Sequence, residues 1–260
     1  MRAATLPATL LAMLSLVPAA RAGGIAAAEK RSGFDRLSPE IQRMQRDDTA
    51  NPGMLWVQDG AELWSRPPAP GKPACAGCHG EAEAGMRGVA ARYPAWDART
   101  RAPIDLEGRI NQCRTLRQDA EALPREGAEL LGLTAFVALP SRGLPLAPPD
   151  DPRLAPARQA GRQLFEGRMG QLGLACATCH DDNWGRRLGA ATIPQGHATG
   201  YPLYRLEWQG LGSVQRRLRN CMSGMRAEPF AYGAPEYTAL ELHLAQRAAP
   251  LPVETPAVRP

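Results

Sequence analysis

Cys75-Ala-Gly-Cys78-His79 and Cys176-Ala-Thr-Cys179-His180 carry one five-residue pattern twice, 101 residues apart in a single chain. C-x-x-C-H is the attachment motif of haem c. Two cysteines on one turn reach the two porphyrin vinyl groups, and the adjacent histidine becomes an axial ligand of the iron. One copy alone could be a zinc half-site, a redox thiol pair or chance. Two copies predict two covalently bound haem c groups, held by Cys75, Cys78, Cys176 and Cys179, with His79 and His180 on the irons. The first-order function is electron transfer or redox catalysis.

The repetition extends beyond these motifs. Gly60-Ala-Glu-Leu-Trp64 matches Gly161-Arg-Gln-Leu-Phe165 at the same offset of 101. Tyr93-Pro94 matches Tyr201-Pro202, and Arg109-Ile-Asn-Gln-Cys113 matches Arg217-Leu-Arg-Asn-Cys221, now at an offset of 108. The second copy therefore carries a seven-residue insertion between its haem motif and its Tyr-Pro pair. A duplicated cytochrome c module follows, and the fold class is mainly α: two tandem cytochrome c-like domains with an N-terminal extension.

Element patterns agree with that class. Segments 57–65 and 157–167 read as the amphipathic first helix of each module. Segments 103–117 and 210–222 read as central helices carrying the Arg-x-x-x-Cys element, and 126–139 and 236–246 as closing helices. Expected boundaries are a signal peptide at 1–22, an extended polar arm at 23–52 packed on one module, and domains at 53–140 and 157–247. A Pro-rich linker at 141–156 separates the domains, and 248–260, with four prolines, reads as a loose tail.

Residues 1–22 have a basic start, an uncharged apolar run at 8–17 and a small-x-small site at Ala20-Arg21-Ala22. That is a secretory signal, too short in its apolar run to span a bilayer. No later stretch approaches the roughly 18 apolar residues of a transmembrane helix. A soluble periplasmic protein is expected, without a membrane partner. The formal charge of +5 falls to +3 once Arg2 and Arg21 are removed, before haem propionates are counted. That is weak support for an anionic partner and none for nucleic acid.

Four of the six cysteines belong to the haem motifs, leaving Cys113 and Cys221 at matching positions. Three readings stand: a disulfide between them, buried thiols, or a sixth iron ligand in each module. The spacing favours the last, because the first module has no Met between Cys113 and the end of its closing helix. A thiolate would lower the haem potential where Met raises it. His197 and His243 are the only histidines outside the haem motifs. His197 lies in the longer second loop, at a substrate entrance or simply in the structure. Arg217 precedes Cys221 by one helical turn, where a guanidinium lowers a thiol pKa and offers a site for an oxyanion.

Tyr201-Pro-Leu-Tyr-Arg-Leu-Glu-Trp208 and Arg217-Leu-Arg-Asn-Cys221-Met-x-x-x-Arg226-x-x-Pro229, with two haem motifs, resemble the SoxA family. The resemblance implies an L-cysteine S-thiosulfotransferase that joins thiosulfate to a cysteine of a SoxYZ-like carrier. It implies catalytic roles for Cys221, often a persulfide in that family, and for Arg217, which would hold substrate. It also implies a SoxX-like small cytochrome c partner and a soluble cytochrome c as electron acceptor. Cys113 would be the distal ligand of a first haem too remote for chemistry. A dihaem electron carrier without a substrate is the competing class. A dihaem peroxidase fits poorly, since cysteine at both distal positions leaves neither iron open.

Overall fold

The computed structural model describes residues 25–189 and 191–260; the expected signal peptide at 1–22 lies outside them. The described residues open with two 3-10 turns, Ala27–Glu29 and Gly33–Arg36, and α1 (Pro39–Arg46), whose N-terminus is capped by Ser38 accepting from the Ile41 amide. The first half follows as α2 (Gly53–Ser65), α3 (Cys75–His79), α4 (Ala82–Gly85), the strands β1 (Ala95–Asp97) and β2 (Ala102–Ile104), α5 (Leu106–Arg117) and α6 (Ala128–Ala138). The second half repeats the order. It has α7 (Ala155–Glu166), α8 (Cys176–His180), a short pair β3 (Arg187–Leu188) and β4 (Ala191–Thr192), β5 (Leu203–Arg205), β6 (Gly210–Gly212), α9 (Val214–Gly224) and α10 (Pro235–Ala248). β7 (Ala257–Arg259) closes the chain. The protein is mainly helical, and its strands are at most three residues long.

One crossing organises each half. α2 lies against α6, and α7 against α10. The glycine of the repeated Gly-x-x-Leu-aromatic pattern makes each crossing close. A Cβ at Gly60 would overlap the Gly132 carbonyl, and one at Gly161 would overlap that of Ala239. Four residues on, Trp64 and Phe165 are buried at 5% and 2% exposure and anchor the two cores. Trp64 packs with Ile110, Leu130 and Leu133; Phe165 packs with Met222, Tyr237 and Leu240.

The hairpins match residue for residue. β1 pairs antiparallel with β2 so that Asp97 faces Ala102, and β5 pairs with β6 so that Arg205 faces Gly210. Tyr93-Pro94 and Tyr201-Pro202, just before them, are both cis. Asp105 caps α5 through the Gly108 amide at 2.7 Å, and Ser213 caps α9 through the Arg216 amide at 3.1 Å.

Three segments differ from their sequence expectations. The tail is ordered: β7 pairs parallel with β5, and Ala257 and Val258 are fully buried. Its prolines flank the strand rather than interrupt it, so the backbone amides needed for pairing remain. The arm is partly helical and touches both halves. The Arg31 amide donates to Gln195 Oε1 at 2.7 Å, while Ile41 and Met44 pack on Val57 and Leu131. The linker contains a 3-10 turn at Pro152–Leu154, and α7 starts at Ala155, inside the expected linker. A shared core of Val57, Leu131, Ala135, Tyr204, Leu211 and Val258 joins the halves.

Candidate functional site: two cysteine-histidine cradles

Each C-x-x-C-H sequence forms a short helix that ends at its histidine. In the first half, Cys75 is half-buried while Cys78 and His79 are exposed. The His79 ring lies 5.7 Å from the Trp64 ring, whose Nε1 donates to the Gly80 carbonyl at 3.0 Å. Cys75, Met86, Val89 and Leu106 pack against the adjoining core and give the cradle an apolar wall. Burial raises the Cys75 thiol pKa, and Cys113 on α5 adds to the rise.

The second cradle is more enclosed. The ring of His180 is stacked near Phe165, and its Nδ1 donates to the Pro194 carbonyl at 2.8 Å. That bond leaves Nε2 as the free nitrogen, the arrangement that orients an imidazole toward a metal. The loop carrying Pro194 is the one that is seven residues longer in the second copy. It presses on the ring so closely that a Cβ at Gly196 would stand 2.8 Å from His180 Cγ. Arg247 fastens the assembly from α10, donating to the His180 carbonyl at 3.2 Å and the Gln195 carbonyl at 3.1 Å, and pairing with Asp181. Burial lowers the His180 pKa, with smaller effects from Arg247 and Arg217, so the ring is held neutral.

The structure brings Cys221 on α9 to Cys176 and Cys179. Burial pushes Cys176 up to about 11, and the neighbouring Cys221 is the next cause; Cys179 rises for the same two reasons. All six cysteines are free. A disulfide between Cys113 and Cys221 is not formed: Cys113 lies near Cys75, and Cys221 near Cys176 and Cys179, each by the haem motif of its own half. Two thiols, a histidine and an apolar wall fit haem c in both cradles, with Cys113 near the first and Cys221 near the second.

The arginines that precede these cysteines differ in their surroundings. Arg109 lies 3.2 Å from Asp97 Oδ1 and also binds Gln112. Thr100, then Gln112 and Arg109, hold the Asp97 carboxyl far below the usual carboxylate range. Arg217 has no carboxylate partner among the described residues. Its charge acts instead on His180, Tyr201 and Arg205. Asp97 and Arg247 escape a reading of motifs alone, and Arg205 enters only as one residue of a longer motif. Comparing charge rather than identity between the aligned hairpins would have singled out Asp97 and Arg205; Arg247, on α10, left no such signal.

His197 is half-buried beside Gln195, with Nε2 3.2 Å from its Oε1 and Nδ1 unpartnered among the described residues. Burial and then Arg247 push its pKa down to about 3, so it is a neutral element of the wall behind His180.

Helices crossing at glycines, an aromatic behind each histidine and the C-x-x-C-H turns define a c-type cytochrome that binds haem c. A family model described as the cytochrome c domain of SoxA/TsdA matches residues 59–146 and again 160–253. The chain belongs to the SoxA/TsdA cytochrome c family. It is 37% identical over 231 residues to the L-cysteine S-thiosulfotransferase subunit SoxA of Rhodovulum sulfidophilum, covering 89% of this chain and 80% of that protein. The subunit of the same name from Pseudaminobacter salicylatoxidans is also 37% identical, with 89% and 81% covered. The crystal structure of SoxXA from P. pantotrophus superposes with a TM-score of 0.84 at 33% identity, covering 88% of this chain and 86% of that one. Among the described residues, no helix is long and apolar enough to cross a membrane.

Proposed function

We propose that this chain is the dihaem subunit of a periplasmic L-cysteine S-thiosulfotransferase. It joins thiosulfate to a cysteine of a SoxYZ-like carrier. In the net reaction a sulfur–sulfur bond forms, the thiol proton goes to solvent, and two electrons leave. They pass to a SoxX-like small cytochrome c subunit and then to a soluble cytochrome c. Residues 53–140 and 157–247 form two cytochrome c modules. One haem c would be held by Cys75, Cys78 and His79, with Cys113 as a further ligand; the other would be held by Cys176, Cys179 and His180, with Cys221 as a further ligand.

The observation that carries the reading is the uncompensated charge of Arg217 one turn before Cys221, in a chain so similar to SoxA subunits. A guanidinium without a carboxylate partner can receive a sulfur oxyanion bidentately. The same charge favours the deprotonated form of the nearby sulfur. The bound haem supplies the electron sink and a coordination site for a soft sulfur ligand. Cys221 supplies the sulfur that must be reached by substrate, and Arg217 orients the oxyanion toward it. In the first half Asp97 neutralises Arg109, so that site lacks a place for an anion and serves structure or electron storage.

The test is haem reduction by thiosulfate in the presence of a carrier thiol. Cys221→Ala should abolish it while haem attachment remains complete. Full activity of that variant would leave the dihaem electron carrier as the better description.

A further inference from the structure

The two halves differ most informatively at one aligned pair. Tyr93, Asp97, Asp105, Arg109 and Cys113 correspond, at a constant offset of 108, to Tyr201, Arg205, Ser213, Arg217 and Cys221. The hairpin registers confirm the match, since Asp97 and Arg205 each end the first strand. A carboxylate in one half is therefore replaced by a guanidinium in the other.

In the first half everything converges on that carboxylate. Thr100 Oγ1 donates to Asp97 Oδ2 at 2.7 Å, Gln112 Nε2 donates to the same oxygen at 2.7 Å, and Arg109 Nη1 binds Oδ1 at 3.2 Å. The anion is part of the chain. In the second half no such anion is built in. Arg217 has no carboxylate partner among the described residues, and burial followed by the charge of Arg217 lowers the pKa of Arg205.

Arg205 is not fully matched within the protein. Its Nη2 reaches Glu207 at 2.9 Å, but Glu207 is 64% exposed and the arginine only 16%. Trp208 lies under the guanidinium at 5.2 Å, and Arg216 stacks on the same ring at 4.3 Å. On the inner side Arg205 Nε is buried with no hydrogen-bond partner among the described residues. A buried N–H donor without an acceptor is costly and uncommon. By the repeat, Arg205 stands at the position from which Asp97 reaches Arg109 in the first half, and a guanidinium there with a buried N–H unpartnered among the described residues is completed by an anion shared with Arg217.

We propose that Arg205 is the second guanidinium of the thiosulfate site, binding the same oxyanion as Arg217, where the first half carries its own anion in Asp97. This rests on the thiosulfotransferase reading above. Arg205 then sets specificity for a doubly charged sulfur oxyanion and decides which half accepts substrate.

The experiment is equilibrium dialysis of radiolabelled thiosulfate against the intact haem-loaded protein and its Arg205 variants at fixed ionic strength, alongside turnover. Arg205→Gln should weaken thiosulfate binding about 10- to 100-fold, the range of a charged hydrogen bond. Its KM should rise more than its kcat falls, and Arg205→Lys should recover much of the loss. Arg205→Asp should be worse than Arg205→Gln, because it restores the internal anion that competes for Arg217. Unchanged thiosulfate binding by Arg205→Gln would overturn the proposal, and so would altered haem absorption or thermal stability without loss of affinity. Cys221→Ala separates the two levels. If it loses turnover while Arg205→Gln binds thiosulfate normally, the proposal fails and the function stands. If it keeps full turnover, the function itself fails.

Discussion

Gly161 of α7 lies directly against the Ala239 carbonyl of α10, with no room for a side chain between them. Gly60 stands in the same relation to Gly132 in the first half. Both crossings hold the aromatic that backs the histidine of the C-x-x-C-H turn. Gly161→Ala should force the helices apart, costing roughly 1–3 kcal/mol as overpacking does, or more because the obstacle is backbone. Thermal melting of the haem-loaded protein checks this. The change should also disturb absorption of the second haem more than the first, because Phe165, four residues on in α7, stacks near His180.

The C-terminal strand yields a second prediction. Val258 is fully buried, its amide donates to Gln45 Oε1 at 3.0 Å, and β7 extends the β5–β6 sheet. Val258→Ala should destabilise by about 2 kcal/mol from lost burial and the cavity left behind. Deleting residues 254–260 should cost more, since it also frees one edge of β5 beside Arg205. Denaturant titration followed by tryptophan fluorescence measures both.

A third prediction concerns pH. Glu107 is buried beside Asp105, and burial followed by that neighbouring charge raises its pKa to about 8; Arg125 offsets part of this. The folded state thus prefers the proton more than the unfolded chain does. The stabilising contribution is complete below about pH 4.5 and is lost as pH rises toward 8. Glu107→Gln removes this titration. Its melting temperature relative to the parent should therefore increase between pH 5 and pH 8, by about 4 °C for a gain near 1–2 kcal/mol. An identical difference at both pH values would contradict the assignment.

The ligand prediction follows from the facing cysteines. Cys113→Met should raise the potential of one haem and leave the other unchanged, since Met ligation raises the potential. Redox titration with absorption at each step resolves the two. A shift of both haems would mean that the cradles are not independent. Intact mass of the mature protein should exceed the chain by two haem groups.

Much of this was legible in the chain. The C-x-x-C-H pairs, the Gly-x-x-Leu-aromatic repeats and the Arg-x-x-x-Cys elements mark the helices, because each places a required residue at a fixed local spacing. β7 was not legible: three residues between prolines carry no periodic signal, and their pairing partner lies some fifty residues away. α1 was hidden for a related reason, since its apolar contacts, Ile41 and Met44, are few and serve a core shared by both halves. Arg217 could be singled out beside Cys221. Its distinction from Arg109 could not, because that depends on whether the end of a distant hairpin is Asp97 or Arg205.

That distinction is also the most direct test of the account. The measurement is the rate of thiosulfate-dependent haem reduction, with a carrier thiol present, for Arg217→Ala and Arg109→Ala side by side. Removing a charged donor aimed at developing charge typically slows turnover about 10²–10³-fold. Arg217→Ala should fall on that scale with both haems still attached, whereas Arg109→Ala should lose stability and keep most of its rate. Equal losses in the two variants, or a larger loss for Arg109→Ala, would contradict the placement of the reaction at Cys221.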